Sequence, residues 1–177
     1  MSSPKRSGPD SIESAIVSIR RLVRVLRINA QRTQSAAGIS GAQLFVLEQL
    51  GDGTGLSLND LAARTLTDRS SVADVVDRLV AQRLVDRTVD PTDRRRAAVR
   101  ITSAGRRMLA RAPEAPTTAL IAAVRGLAPR DRTALARSLA QLNHALGAAD
   151  EPATMLFVDD ATTTPAAKRR AMKRRAR

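Results

Sequence analysis

Apolar residues recur along this chain at two different spacings. From Ser11 the spacing is helical: Ile12, Ile16, Ile19, Leu22, Val23 and Leu26 fall on one face, with Arg20, Arg21, Arg24 and Arg27 around it. This predicts a helix from residue 11 to about Ala36, stopped at Gly38. Ser40 and Gln43 stand three apart, the spacing of a capping box, with Ile39 and Leu44 at the positions of a hydrophobic staple. A second helix should therefore run to about Leu50, where Gly51-Asp52-Gly53-Thr54-Gly55 breaks the chain. Two short helices are expected next. The first is capped by Ser57 and turns Leu58, Leu61 and Ala62 inward; the second starts near Thr67 or Asp68 and buries Val72, Val75, Val76 and Leu79. Two helices joined by so short a turn, over residues 57–82, read as a helix-turn-helix.

The spacing then changes to two. Residues 84–89 read as a strand, Asp90-Pro91-Thr92-Asp93 as a turn, and Ala97, Val99 and Ile101 as the inner positions of a return strand. The hairpin, residues 84–102, carries Arg94, Arg95 and Arg96 at or near its tip, the form of a wing. Helix resumes after a cap at Thr102 or Ser103, and Pro113 and Pro116 should interrupt it. Leu120, Ile121, Val124 and Leu127 form a further stripe. Pro129 suits the first position of a last helix, which is lined by Leu135, Leu139, Leu142 and Leu146 and ended by Gly147. Residues 1–10 are expected to form a flexible arm, 11–148 one domain, and 149–177 a largely disordered basic tail, within which Met155-Leu156-Phe157-Val158 has the makings of a short docked piece.

Composition sharpens this picture mainly by exclusion. The 177 residues include no Cys, Trp or Tyr, two Phe and one His. A core of Leu, Val, Ile, Ala and Met suits packed helices. Without cysteine there is no disulfide, thiolate metal site or thiol switch, and His144 alone builds no multi-histidine metal site. No apolar run approaches the ~18–20 residues that span a bilayer, and no secretory signal is visible, so the expected address is the cytoplasm. No cofactor and no metal are expected.

Charge adds a partner. Thirty Lys and Arg against 17 Asp and Glu give a net +13, of which residues 168–177 (KRRAMKRRAR) hold seven. Codon bias explains the preference for Arg over Lys; it does not explain the excess over acids. A basic chain with a helix-turn-helix points to nucleic acid. A short helix entering the major groove presents its first residues, here Arg69, Ser70 and Ser71, to base edges. Asp74 stands a turn later, where a carboxylate either accepts from a cytosine amino group or pairs with a neighbour. An arginine-tipped hairpin suits phosphates or a narrow minor groove.

The run from Leu56 to Gly105 resembles the MarR family of bacterial transcriptional regulators. Leu61-Ala62, Asp77-Arg78-Leu79, Leu84-Val85, Arg87, Asp93-x-Arg95 and Ile101-Thr102-x-x-Gly105 follow that family's pattern in order and spacing. The resemblance implies a mainly α-helical winged helix-turn-helix with a two-stranded β-wing. It also implies a homodimer held by helices from both ends of the domain. It makes Arg95 the arginine that enters the minor groove, Asp93 the acid that orients the wing, and Arg78 and Arg87 basic positions near the DNA backbone. Asp77 and Asp93 are better read as ion-pair partners of these arginines, since phosphate repels them. The chain departs from the pattern at Ala73, at Asp74, and at Arg83, where glycine is frequent.

The expected function is sequence-specific binding of a pseudo-palindromic duplex as a homodimeric repressor, released by a small apolar ligand. The alternative is an architectural, nucleoid-type DNA binder without an inducer, which the basic tail favours. A ligand pocket lined by Leu22, Leu26, Phe45 and Met108 is one reading; the other is that these are ordinary core residues. An enzyme is not expected: the paired acids lie in the tail and the wing, and no phosphate-binding glycine loop follows a strand.

Overall fold

The computed structural model describes residues 11–89 and 97–158. The arm of residues 1–10, the wing tip with Asp93, Arg94, Arg95 and Arg96, and the tail from Asp159 onward lie outside the described residues. Within the described residues, seven helices and one hairpin follow in the order α1 (Ser11–Ala37), α2 (Gly41–Gln49), α3 (Leu58–Thr65), α4 (Arg69–Ala81), β1 (Val85–Val89), β2 (Ala97–Ile101), α5 (Ser103–Leu109), α6 (Pro116–Gly126) and α7 (Pro129–Ala145).

Local signals decide where the helices begin. Ser40 accepts from the Gln43 amide (3.2 Å) while Gln43 Oε1 accepts from the Ser40 amide (3.0 Å), the reciprocal pair the spacing predicts. Ser57 and Asp60 form the same box at the start of α3. Asp68 caps α4 by accepting from the Ser71 amide at 2.8 Å. Thr102 caps α5 by accepting from the Gly105 amide at 3.0 Å. Pro116 and Pro129 occupy the first positions of α6 and α7, where a missing N–H costs nothing. Leu66 and Arg83 end α3 and α4 in left-handed conformation, both with φ of 57°.

The core forms around α2. Residues 41–47 are all buried, and α2 packs on α4, α3, α6, α5 and α1. Leu44, Phe45, Leu47 and Leu50 meet Leu61 from α3, Val72, Val75, Val76 and Leu79 from α4, and Val85, Val99 and Ile101 from the hairpin. Burying such side chains is worth roughly 1.5–3 kcal/mol each, which holds this lobe as one unit. The strands are antiparallel, with Val85 opposite Ile101 and Arg87 opposite Val99. Leu56 pairs with the free edge of β2 through Leu56 N–H to Val99 O (3.0 Å) and Val99 N–H to Leu56 O (2.8 Å).

The two end helices behave differently. α7 buries no residue, and Leu135, Leu139, Leu142 and Leu146 are all exposed. On α1 the predicted row Ile12, Ile16, Ile19, Leu22 and Val23 is also exposed, and Thr33 is the one buried residue. Beyond α7, residues 153–158 return to the lobe, where Met155 is buried in the core.

Candidate nucleic-acid interface

The interface is built on the α3–turn–α4 unit. Thr65 anchors the turn: its hydroxyl donates to Leu61 O (2.7 Å) and lies 2.7 Å from the Thr67 hydroxyl, while the Thr67 amide donates to Ala62 O (3.1 Å). With α3 fixed beneath it, α4 turns Val72, Val75, Val76 and Leu79 into the core. Its outward residues are Arg69, Ser70, Asp74 and Asp77, all exposed, with Ala73 half-buried between them.

Of the residues expected to read bases, Arg69 and Ser70 stand free of the core at the helix start. The Ser70 hydroxyl also donates to Asp68. Ser71 is half-buried and its Oγ accepts from the Met155 amide at 2.9 Å, so it faces the chain's own later segment. Burial works against the Asp68 carboxylate, but hydrogen bonds from the Ser70 hydroxyl and the Ser71 and Ser70 amides outweigh it and hold the carboxyl below its ordinary range. Asp68 is thus ionised at the amino end of α4, where a negative charge complements the helix dipole.

Arg87 on β1 pairs with Asp77 on α4 at 2.6 Å, so the acid is an ion-pair partner and joins wing to helix. Both groups are largely exposed, and such a pair contributes at most ~1 kcal/mol; its effect is to aim the Arg87 side chain. Arg78 is half-buried on the flank of α4. β1 packs against α4 and pairs with β2; residues 90–96 between the strands, among them Arg94, Arg95 and Arg96, lie outside the described residues. Arg100 is exposed on β2.

The four residues considered for a ligand pocket are not gathered in one place. Phe45 is enclosed in the core, Leu26 is half-buried and Leu22 exposed on α1. Met108 lines a cavity of about 340 Å³ between the end of α1 and α5, together with Ala36, Ala37, Leu84, Ala104 and Ala112, with Arg107 and Arg111 also in the wall. Sequence reasoning found Met108 and missed its neighbours, because the alanines and arginines that complete the wall carry no periodic signal. Among the described residues no cluster of His, Cys, Asp or Glu could hold a metal ion. No described helix is long and apolar enough to cross a membrane.

A helix-turn-helix with an exposed second helix, followed directly by a two-stranded hairpin, defines a winged helix-turn-helix. Residues 37–96, about a third of the chain, match the sequence model of the MarR family. A protein of Thauera aromatica, named as a transcriptional regulatory protein for the hcr operon, is 32% identical over 96 residues; the match spans 54% of this chain and 58% of that protein. The chain thus spans just over half the length of this curated relative. Among solved structures, a MepR-like protein in complex with pseudoligands superposes with a TM-score of 0.53 at 23% identity, covering 77% of this chain and 94% of the other, which supports the fold. RV1404 of Mycobacterium tuberculosis is 28% identical with a TM-score of 0.47, over 83% and 99% of the two chains.

Proposed function

We propose that this protein is a DNA-binding transcriptional regulator that acts as a homodimer on a pseudo-palindromic duplex, most simply as a repressor. One observation carries the reading: the exposed face of α4, begun by Arg69 and Ser70, belongs to a helix packed on a hairpin whose two strands are joined in sequence by a stretch with three consecutive arginines. In this reading α4 enters the major groove and Arg95 reaches the adjacent minor groove, with Asp93 orienting the wing. Arg78, Arg87, Arg94 and Arg96 contact the backbone, and Ser71 sets the helix start.

The exposed apolar rows of α1 and α7 support the dimer, because exposed apolar side chains grouped along a helix face are what an interface covers. In this reading the two α4 helices of the dimer enter major grooves about one turn of DNA apart. The cavity against α5 supports release by a small, largely apolar ligand. It touches Leu84, at the junction of α4 and β1, so an occupant there pushes on the element that sets the angle between helix and wing. No cofactor enters, and the site of action is wherever the cell keeps its DNA, the cytoplasm in bacteria.

Selection from a duplex library with a randomised core tests the reading. The expected result is an enriched inverted repeat with half-sites 10–10.5 bp apart centre to centre, as two-fold symmetry and groove spacing require. Light scattering at micromolar concentration should report a dimer. Enrichment without a dyad, or a monomer that binds as tightly, overturns it. Broad, sequence-independent coating of DNA would favour the architectural alternative.

A further inference from the structure

The stretch that follows α7 returns to the lobe and joins two places in it. At its near end the Asp68 amide donates to Ala153 O (3.0 Å) and the Met155 amide donates to Ser71 Oγ (2.9 Å), both at the opening of α4. At its far end the Ala42 amide, in the first turn of α2, donates to Phe157 O (3.4 Å). A Cβ on Gly41 would stand 3.0 Å from Phe157 Cβ and 3.4 Å from Pro116 Cδ, so the stretch ends where α2 and α6 begin. Between these ends the Met155 side chain is buried in the core, and Val158 packs against that core. The carboxyl end of α4 reaches the start of α2 directly. Gln43 donates through Nε2 to Gln82 Oε1, just past α4, at 2.9 Å. The opening of α2 therefore holds α4 at one end through Gln43 and at the other through residues 153–157.

The amino end is the one that needs holding. The first side chain that α4 buries is Val72. Arg69 and Ser70 precede it and are exposed, and Ser71 is half-buried. Helix ends fray where packing does not fix them. Ala153 and Met155 tie this turn to the lobe and leave Arg69 and Ser70 exposed. A turn that is already ordered need not be ordered on binding, which raises affinity.

We propose that residues 151–158 are a brace that fixes the opening of α4, which makes Ala153 and Met155 positioning residues for base reading by Arg69 and Ser70. The proposal rests on the DNA-binding reading above. Neither Ala153 nor Met155 carries charge. The brace therefore acts on base contacts, and not on the attraction between cations and phosphates that supplies binding to random sequence. A hydrogen bond of ordinary net strength is worth a factor of about five. Losing the brace should lower the preference for a specific duplex by about that factor at each half-site.

The test compares the full chain with Met155→Ser, Met155→Leu and a variant with one glycine inserted after the exposed Leu156. Serine removes the buried anchor, and leucine keeps its volume. The insertion leaves every core side chain in place but puts Met155 and Phe157 out of step. Circular dichroism checks each fold. Amide hydrogen exchange is measured on the free proteins. Binding is measured at fixed salt to the duplex recovered by selection and to a random-sequence duplex of the same length. Met155→Ser and the insertion should each raise exchange over residues 66–72 while the β1 and β2 amides keep their protection. Each should lower the ratio of the two affinities about 25-fold for a dimer on two half-sites. Affinity for the random duplex should stay within about twofold of the parent, since no charge is lost. Met155→Leu should match the parent on both counts. A folded variant with raised exchange and an unchanged ratio overturns the proposal, as does exchange over 66–72 that stays at the parent level. Equal losses on both duplexes also overturn it, because general damage to the fold has that form. Failure of the DNA-binding reading looks different: the parent chain itself would prefer neither duplex.

Discussion

Replacing Gly105 with Ala is the sharpest perturbation of the link between helix and wing. Gly105 sits in the first turn of α5, buried against the α4–β1 junction. A Cβ built there would stand 2.2 Å from Leu84 O and 2.8 Å from Ile101 Cγ1. An ordinary carbon–oxygen contact needs about 1 Å more, and the obstacle is backbone, so no rotamer change relieves it. The same Leu84 carbonyl accepts from the Thr102 amide (3.0 Å) and from the Thr102 hydroxyl (3.1 Å), so moving it disturbs the cap of α5 as well. Overpacking of this kind costs ~1–3 kcal/mol. A disturbed hydrogen bond adds ~0.5–1.5 kcal/mol. Alanine returns up to ~1 kcal/mol through its better helix propensity. The expected net loss is about 2 kcal/mol, read as the shift in urea midpoint at fixed protein concentration. Ser103→Ala, at the exposed first position of the same turn, should stay within ~0.5 kcal/mol of the parent. A Gly105→Ala protein as stable as the Ser103→Ala control refutes the close approach.

Three further outcomes are expected. Arg83→Gly should stabilise the protein by ~0.5–1 kcal/mol, because the left-handed conformation costs a side chain about 1–2 kcal/mol and glycine returns part of that gain as unfolded-state entropy; a lowered urea midpoint would contradict this. Burial pushes the Glu48 carboxyl above its ordinary value of 4.5, with Glu114 adding, although the Thr118 hydroxyl and the Ala115 amide (2.8 Å) donate to it and oppose the rise. The folded state then holds the proton more tightly than the unfolded one, so this stabilisation is full below 4.5 and is lost as pH rises through the raised folded value. Glu48→Gln should therefore gain on the parent as pH rises from about 4 to about 7, and a flat or falling difference between their urea midpoints would refute the sign. Arg95→Ala should weaken binding to the selected duplex by ~1–3 kcal/mol with circular dichroism unchanged; an unaltered dissociation constant at matched salt removes Arg95 from the interface.

What the sequence disclosed depends on distance along the chain. The Ser40–Gln43 box, the caps at Ser57, Asp68 and Thr102, and the prolines opening α6 and α7 are written within a few residues of where they act. The hairpin was legible because a period of two is unlike a period of 3.6. Contacts across many residues were not. Glu48 meets Ala115 and Thr118 across 67 and 70 positions, and no local pattern announces them. Periodicity also does not say what covers an apolar face: the rows on α1 and α7 repeat as regularly as that on α4, yet only α4 buries its own within the chain. Of the residues expected to read bases, Ser71 shows this limit. Its position in the helix was readable, but the segment that faces it lies 84 residues away.

That separation has a consequence for the order in which the protein is made. Asp68 and Ser71 are synthesised long before Ala153 and Met155, with Met155 standing 84 positions after Ser71. At roughly 5–20 residues per second, translation leaves the entry to α4 without these contacts for about 4–17 s. During that interval α2 to β2 can already pack together, since most of the core comes from them, with Ala115 and Met155 joining later. The element proposed to read DNA thus emerges well before all of its contacts can form. A chain cut between Ala148 and Pro152 would keep its wing and lose that brace for good.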